Sequence, residues 1–140
     1  MDDEILVVDD DAAACEALAR LLQLEGYRPA CAGDGREALA AMRRRTPALV
    51  LLDVTMPEVD GLRLLDEMRH DPGLRDVPVV MMSGASEPES VLEAERLGAN
   101  DYLIKDRLSA DQVIGRVRYY VPQRQEQPTS APDAGVAGGS

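Results

Sequence analysis

Three uninterrupted apolar runs divide the chain: Ile5-Leu6-Val7-Val8, Leu49-Val50-Leu51-Leu52 and Val77-Pro78-Val79-Val80-Met81-Met82. Short runs of this kind, apolar at every position, predict strands buried on both faces, as in a parallel sheet covered by helices. Tyr102-Leu103-Ile104 predicts a shorter strand. Arg28-Pro29-Ala30-Cys31-Ala32 predicts another, placed at an edge because its proline has no N–H to give to a second neighbour. Between these runs the apolar positions take helical spacing: Ala14, Leu18, Leu21 and Leu22 before Gly26; Ala38, Leu39 and Met42 before Arg43-Arg44-Arg45; Leu62, Leu65 and Met68; Val91, Leu92, Ala94 and Leu97 before Gly98; and Val113, Ile114 and Val117. The arginines closing the second helix suit the negative end of its dipole.

Strand and helix therefore alternate through five units. Right-handed crossovers then place helices on both faces of an open sheet, which predicts an α/β fold: a doubly wound, flavodoxin-like five-stranded parallel sheet in the order 2-1-3-4-5. One domain is expected over residues 1–121. Residues 122–140, rich in Pro, Gln, Ser, Ala and Gly without periodicity, are expected to form a disordered tail and not an output domain.

The chain has 140 residues, 45% of them hydrophobic, enough for one substantial core. No run approaches the roughly 20 uncharged apolar residues of a membrane span, and Met1-Asp2-Asp3-Glu4 is unlike a secretory leader, so a cytoplasmic location without membrane contact is expected. A formal net charge of −11 disfavours binding to a phosphate backbone, so direct nucleic-acid contact is not expected. Cys15 and Cys31 are distant in sequence, lack CxxC spacing and read as small core residues.

Each central strand ends in a polar residue foreign to its apolar run: Asp9 and Asp10 after the first, Asp53 after the third, Ser83 after the fourth and Lys105 after the last. In an open parallel sheet these are the ends beyond which ligands bind. Converging carboxylates repel by about 3 kcal/mol per pair at ~5 Å and an effective dielectric of ~20, which calls for a counter-charge. All-oxygen ligands point to Mg²⁺ or Mn²⁺, and a Mg²⁺ site of this kind points to phosphoryl chemistry.

The pieces Val7-Val8-Asp9-Asp10, Asp53-Val54-Thr55-Met56-Pro57 with Gly61, Met82-Ser83-Gly84 and Gly98-Ala99-Asn100-Asp101-Tyr102-Leu103-Ile104-Lys105 together resemble the receiver domains of two-component response regulators, over residues 4–121. The resemblance implies that Asp53 is the nucleophile, taking a phosphoryl group from a phosphohistidine of a sensor histidine kinase or phosphotransfer protein. It implies that Asp10, Asp53 and the backbone carbonyl of Thr55 ligate Mg²⁺ directly, with Asp9 acting through water, and that Lys105 gives a second cation to the phosphoryl oxygens. It further implies that Ser83 donates to the phosphoryl group as a switch and that Tyr102 rotates inward. The altered surface of the fourth helix, fifth strand and fifth helix is then read by a downstream protein or by a second copy in a homodimer.

Asp11 reads as an ordinary helix cap, and His70, the only histidine, as a surface residue at a helix end. The chain departs from the family where Asp106 stands in place of the usual proline after Lys105, which puts the placement of Lys105 in question. Thr55 and Ala85 resemble the family positions that tune access of hydrolytic water, and neither carries a charge or amide to position one. Two other functions compete. A haloacid-dehalogenase-type phosphatase would need an aspartate where Thr55 stands, and a receiver-like interaction module that is never phosphorylated would have no use for the retained acids.

Overall fold

The computed structural model describes residues 4–53, 61–83, 88–105 and 108–122, with Ser83 and residues 88–90 described by backbone alone. Strands β1 (Glu4–Val8), β2 (Arg28–Ala32), β3 (Leu49–Asp53), β4 (Val79–Ser83) and β5 (Asp101–Ile104) alternate with helices α1 (Ala12–Leu24), α2 (Gly35–Arg44), α3 (Gly61–Arg69), α4 (Pro88–Arg96) and α5 (Ala110–Tyr120). All strand pairs are parallel and the order is β2-β1-β3-β4-β5, as the hydrophobic pattern predicts. Pro29 lies in the edge strand β2, where its missing N–H interrupts no second ladder.

Alternate residues of each strand face opposite layers. Leu6, Val8, Val50, Leu52, Val79 and Met81 pack beneath α2, α3 and α4, meeting Ala38, Met42, Leu64, Leu65, Met68 and Ala94. Ile5, Val7, Leu49, Leu51, Val80 and Met82 pack beneath α1 and α5, meeting Cys15, Leu22, Val113, Ile114 and Val117. Burying a side chain such as Leu51 contributes about 1.5–3 kcal/mol, and runs apolar at every position serve both layers at once. Leu92 departs from the predicted helical face: it is 65% exposed, and Ala94 supplies the buried contact of α4 instead.

Local chemistry fixes the helix ends. The Asp11 carboxylate accepts the N–H groups of Ala13 and Ala14, as predicted for a cap, and Ser109 and Gln112 form a reciprocal capping box on α5. The Tyr27 hydroxyl donates to the Val121 carbonyl at 2.7 Å, tying the start of β2 to the end of α5.

The amino end of the sheet carries a clasp that the hydrophobic pattern does not announce. Arg69, at the end of α3, donates to the carbonyls of Arg75 (3.1 Å) and Val77 (2.9 Å). It also donates to Gly98 through both Nε (3.1 Å) and Nη2 (2.8 Å), and to Asn100 Oδ1 at 3.1 Å. Asn100 Oδ1 in turn accepts the N–H of Val79 at the start of β4. Gly98 has φ +101°, and an added Cβ there would stand 2.9 Å from Arg69 Nε, so both its backbone and the clasp require glycine.

Candidate functional site: an acidic cleft at the carboxyl end of the sheet

The parallel register brings the carboxyl ends of β1, β3 and β5 to one edge, and with them Asp9, Asp53 and Lys105. Asp9 directly follows β1 and is 3% exposed; Asp53 closes β3 and is 6% exposed. The Asp9 backbone N–H donates to Ala32 O at 3.0 Å, and Asp9 Oδ1 accepts the Asp11 N–H at 3.0 Å. The buried carboxylate is thus aimed from both sides. Asp10 is exposed, at the mouth.

Lys105 Nζ lies 2.8 Å from Asp9 Oδ2 and 3.5 Å from Asp53 Oδ2. The lysine reaches the site although Asp106 follows it; the peptide between the two lies outside the described residues. Burial alone would lower the Lys105 pKa, but the hydrogen bond to Asp9 and the charges of Asp53 and Asp9 outweigh it and hold the ammonium above the ordinary lysine value.

The predicted acids converge. Asp9, Asp10 and Asp53 each offer a carboxylate oxygen within 4.8 Å of the others. At that spacing each pair repels by about 3 kcal/mol at an effective dielectric of ~20, and among the described residues the Lys105 ammonium is the counter-charge to three carboxylates. A donor set of carboxylate oxygens, two buried and one at the mouth, fits a hard divalent cation such as Mg²⁺ or Mn²⁺.

Ser83 is the last residue of β4, beside Asp53 on β3 and paired with Ile104 on β5, so its backbone stands at the same edge. Its hydroxyl lies outside the described residues, as do Thr55, Gly84 and Ala85. Tyr102 packs against the core under α4, beside a cleft of about 260 Å³ lined by Val91 and Ala94. Its hydroxyl oxygen is buried and has no hydrogen-bond partner among the described residues, a condition that costs about 1–3 kcal/mol. His70 is exposed at the end of α3, against the Asp66 carbonyl at 2.8 Å, and takes no part in the site.

The cysteines are not the core pair that their spacing suggests. Cys15 is buried but Cys31 is exposed, and the two meet: Cys31 Sγ lies 3.5 Å from the Cys15 carbonyl and Cys15 Sγ 3.4 Å from the Val7 carbonyl. The signal that could have found them is the parallel register, which pairs Val7 with Cys31 directly. Both thiols line a cleft of about 460 Å³ that also reaches Asp9 and Asp10.

Among the described residues no helix is long and apolar enough to cross a membrane. The family model for the response regulator receiver domain matches residues 5–118. The DNA-binding response regulator MtrA of Mycolicibacterium paratuberculosis is 37% identical over 128 residues, covering 91% of this chain and 55% of MtrA. The chain thus spans about half the length of such relatives. The receiver domain of NtrX from Brucella abortus superposes with a TM-score of 0.76 at 37% identity, covering 86% of this chain and 99% of that one. The chemotaxis protein CheY4 of Vibrio cholerae gives 0.80 at 26% identity, over 86% of this chain and 99% of its own. DNA binding is stated of MtrA, and it lends no support to the expectation that nucleic acid is excluded as a partner.

Proposed function

Because the chain belongs to the response regulator receiver domain family, we propose that it accepts a phosphoryl group on Asp53 from the phosphohistidine of a sensor histidine kinase or phosphotransfer protein. The observation that carries this reading is the placement of Lys105 Nζ between two buried carboxylates, Asp9 and Asp53, at a strand-end edge rich in negative charge.

A carboxylate oxygen of Asp53 attacks phosphorus, the O–P bond forms as the P–N bond to imidazole breaks, and the imidazole nitrogen takes its proton from solvent. Little covalent chemistry is left to the protein beyond positioning and electrostatics. Lys105 supplies those electrostatics: once Asp53 is esterified, the ammonium turns from the carboxylate to a phosphoryl oxygen while keeping its 2.8 Å bond to Asp9. Asp10, Asp53 and the Thr55 carbonyl would hold Mg²⁺ or Mn²⁺ directly, and Asp9 would hold it through water. When bound, the cation neutralises charge on the transferring oxygens.

The modified site is sensed by Ser83, whose hydroxyl donates to the phosphoryl group, and by Tyr102, whose buried hydroxyl has no partner among the described residues and turns inward. The surface of α4, β5 and α5 then differs between the two states, and a downstream protein or a second copy of the chain selects one of them.

Acetyl phosphate, a small phosphoryl donor, tests the reading without a kinase. Intact mass should rise by one phosphoryl group in the presence of Mg²⁺ and not in Asp53→Asn. A folded, Mg²⁺-binding protein that gains nothing would instead be a receiver-like interaction module.

A further inference from the structure

We infer that Cys15 and Cys31 form a dithiol–disulfide pair, a redox modification site that joins α1 to the edge strand β2. Their approach follows from the fold. Cys31 stands opposite Val7 in the β1–β2 register, and Cys15, on the first turns of α1, sets its Sγ over the Val7 carbonyl at 3.4 Å. Cys31 Sγ reaches the Cys15 carbonyl at 3.5 Å, and both cysteines line the same cleft. A disulfide needs its partners in adjacent backbone segments, and here the thiol of one residue already touches the backbone of the other within a shared cleft.

The two environments assign the order of events. Cys31 is exposed and open to a small reagent, whereas Cys15 is buried. Burial, with the hydrogen bond to Cys31 and the neighbouring negative charge of Cys31 and Asp9, pushes the Cys15 thiol up to about 12. Cys31 is therefore the thiol that attacks first.

With a low-molecular-weight disulfide as oxidant, the Cys31 thiolate attacks one sulfur and expels the first small thiolate, leaving a mixed disulfide on Cys31. Cys31 then carries no charge, which removes one of the influences that hold the proton on Cys15. The Cys15 sulfur attacks Cys31 Sγ, and its proton passes to the departing second small thiolate. Two protein thiols become one S–S bond, and the small disulfide is reduced to two thiols.

Oxidised glutathione applied to the folded chain in mildly alkaline buffer, followed by acid quench, intact mass and non-reducing peptide mapping, tests the pair. The wild type should lose two hydrogens, retain no adduct, and yield a Cys15–Cys31 cross-linked peptide that a reductant reverses. Cys15→Ser should stop as a glutathione adduct on Cys31. Should Cys15→Ser fail to fold, Cys31→Ser, altered at an exposed position, serves instead and should stay unmodified, with its remaining thiol blocked only after unfolding. A wild type that stops at the mixed disulfide, or that cross-links only between chains, would overturn the inference.

Discussion

The two ends of the sheet handle charge in opposite ways. At the amino end one half-buried cation, Arg69, is met by the carbonyls of Arg75, Val77 and Gly98 and by Asn100, so its donors are spent on neutral groups. At the carboxyl end two buried carboxylates and an exposed third share one ammonium. The first arrangement is complete and holds α3, β4 and the turn before β5 together. Among the described residues the second is short of positive charge, which is consistent with the proposed uptake of a cation and a phosphoryl group.

Removing Arg69 should have the largest effect on stability. Arg69→Ala leaves the part-buried Val77 carbonyl without this donor and unties three segments, and is expected to cost about 2–3 kcal/mol in denaturant unfolding, while leaving Mg²⁺ affinity at the far end unchanged. A matching loss of Mg²⁺ affinity would mean that the two ends are not independent. Lys105→Met comes next: it leaves Asp9 and Asp53 facing each other and should cost about 2 kcal/mol without metal, after allowance for the partial exposure of the lysine, with much of the loss recovered by saturating Mg²⁺.

The pH dependence of that difference has a definite sign. A lysine pKa raised by folding contributes stability in full below the ordinary lysine value and loses it as pH rises through the elevated one. The gap between wild type and Lys105→Met should therefore stay constant from neutral pH into the mildly alkaline range and close only beyond it. Gly98→Ala is the smallest of the three substitutions, about 1–2 kcal/mol, from the positive φ and the approach to Arg69. In an Arg69→Ala background its cost should shrink to the backbone part alone, and additive costs in the double-mutant cycle would show that Arg69 does not press on this position.

The carboxyl end was legible in the sequence because its residues are contiguous with strong strand signals. Asp9 and Asp53 each follow four apolar residues, so their strand ends, and hence their meeting, follow from parallel pairing. Lys105 was legible on the same ground, and the structure places it at the acids despite Asp106. The amino end was not legible. Arg69 looks like any cation in a last helical turn, and its partners are backbone carbonyls of two loops and the Asn100 side chain, 31 positions along the chain. The cysteines escaped for a related reason: they stand sixteen positions apart, and the β1–β2 register together with the docking of α1 closes the gap. Leu92 was placed on the buried face by periodicity, but α4 is short and rests on the sheet through Ala94.

The claim that the acidic end awaits positive charge is tested most directly by thermal unfolding of wild type and Asp53→Asn, each with and without Mg²⁺. The account predicts that Asp53→Asn unfolds at a higher temperature than wild type without metal, because one repelling charge is gone. Mg²⁺ should raise the wild-type midpoint, by the equivalent of about 2.7 kcal/mol at a hundred times its dissociation constant, and raise that of the variant far less. A wild-type midpoint indifferent to Mg²⁺, together with a metal-free Asp53→Asn less stable than wild type, would contradict it.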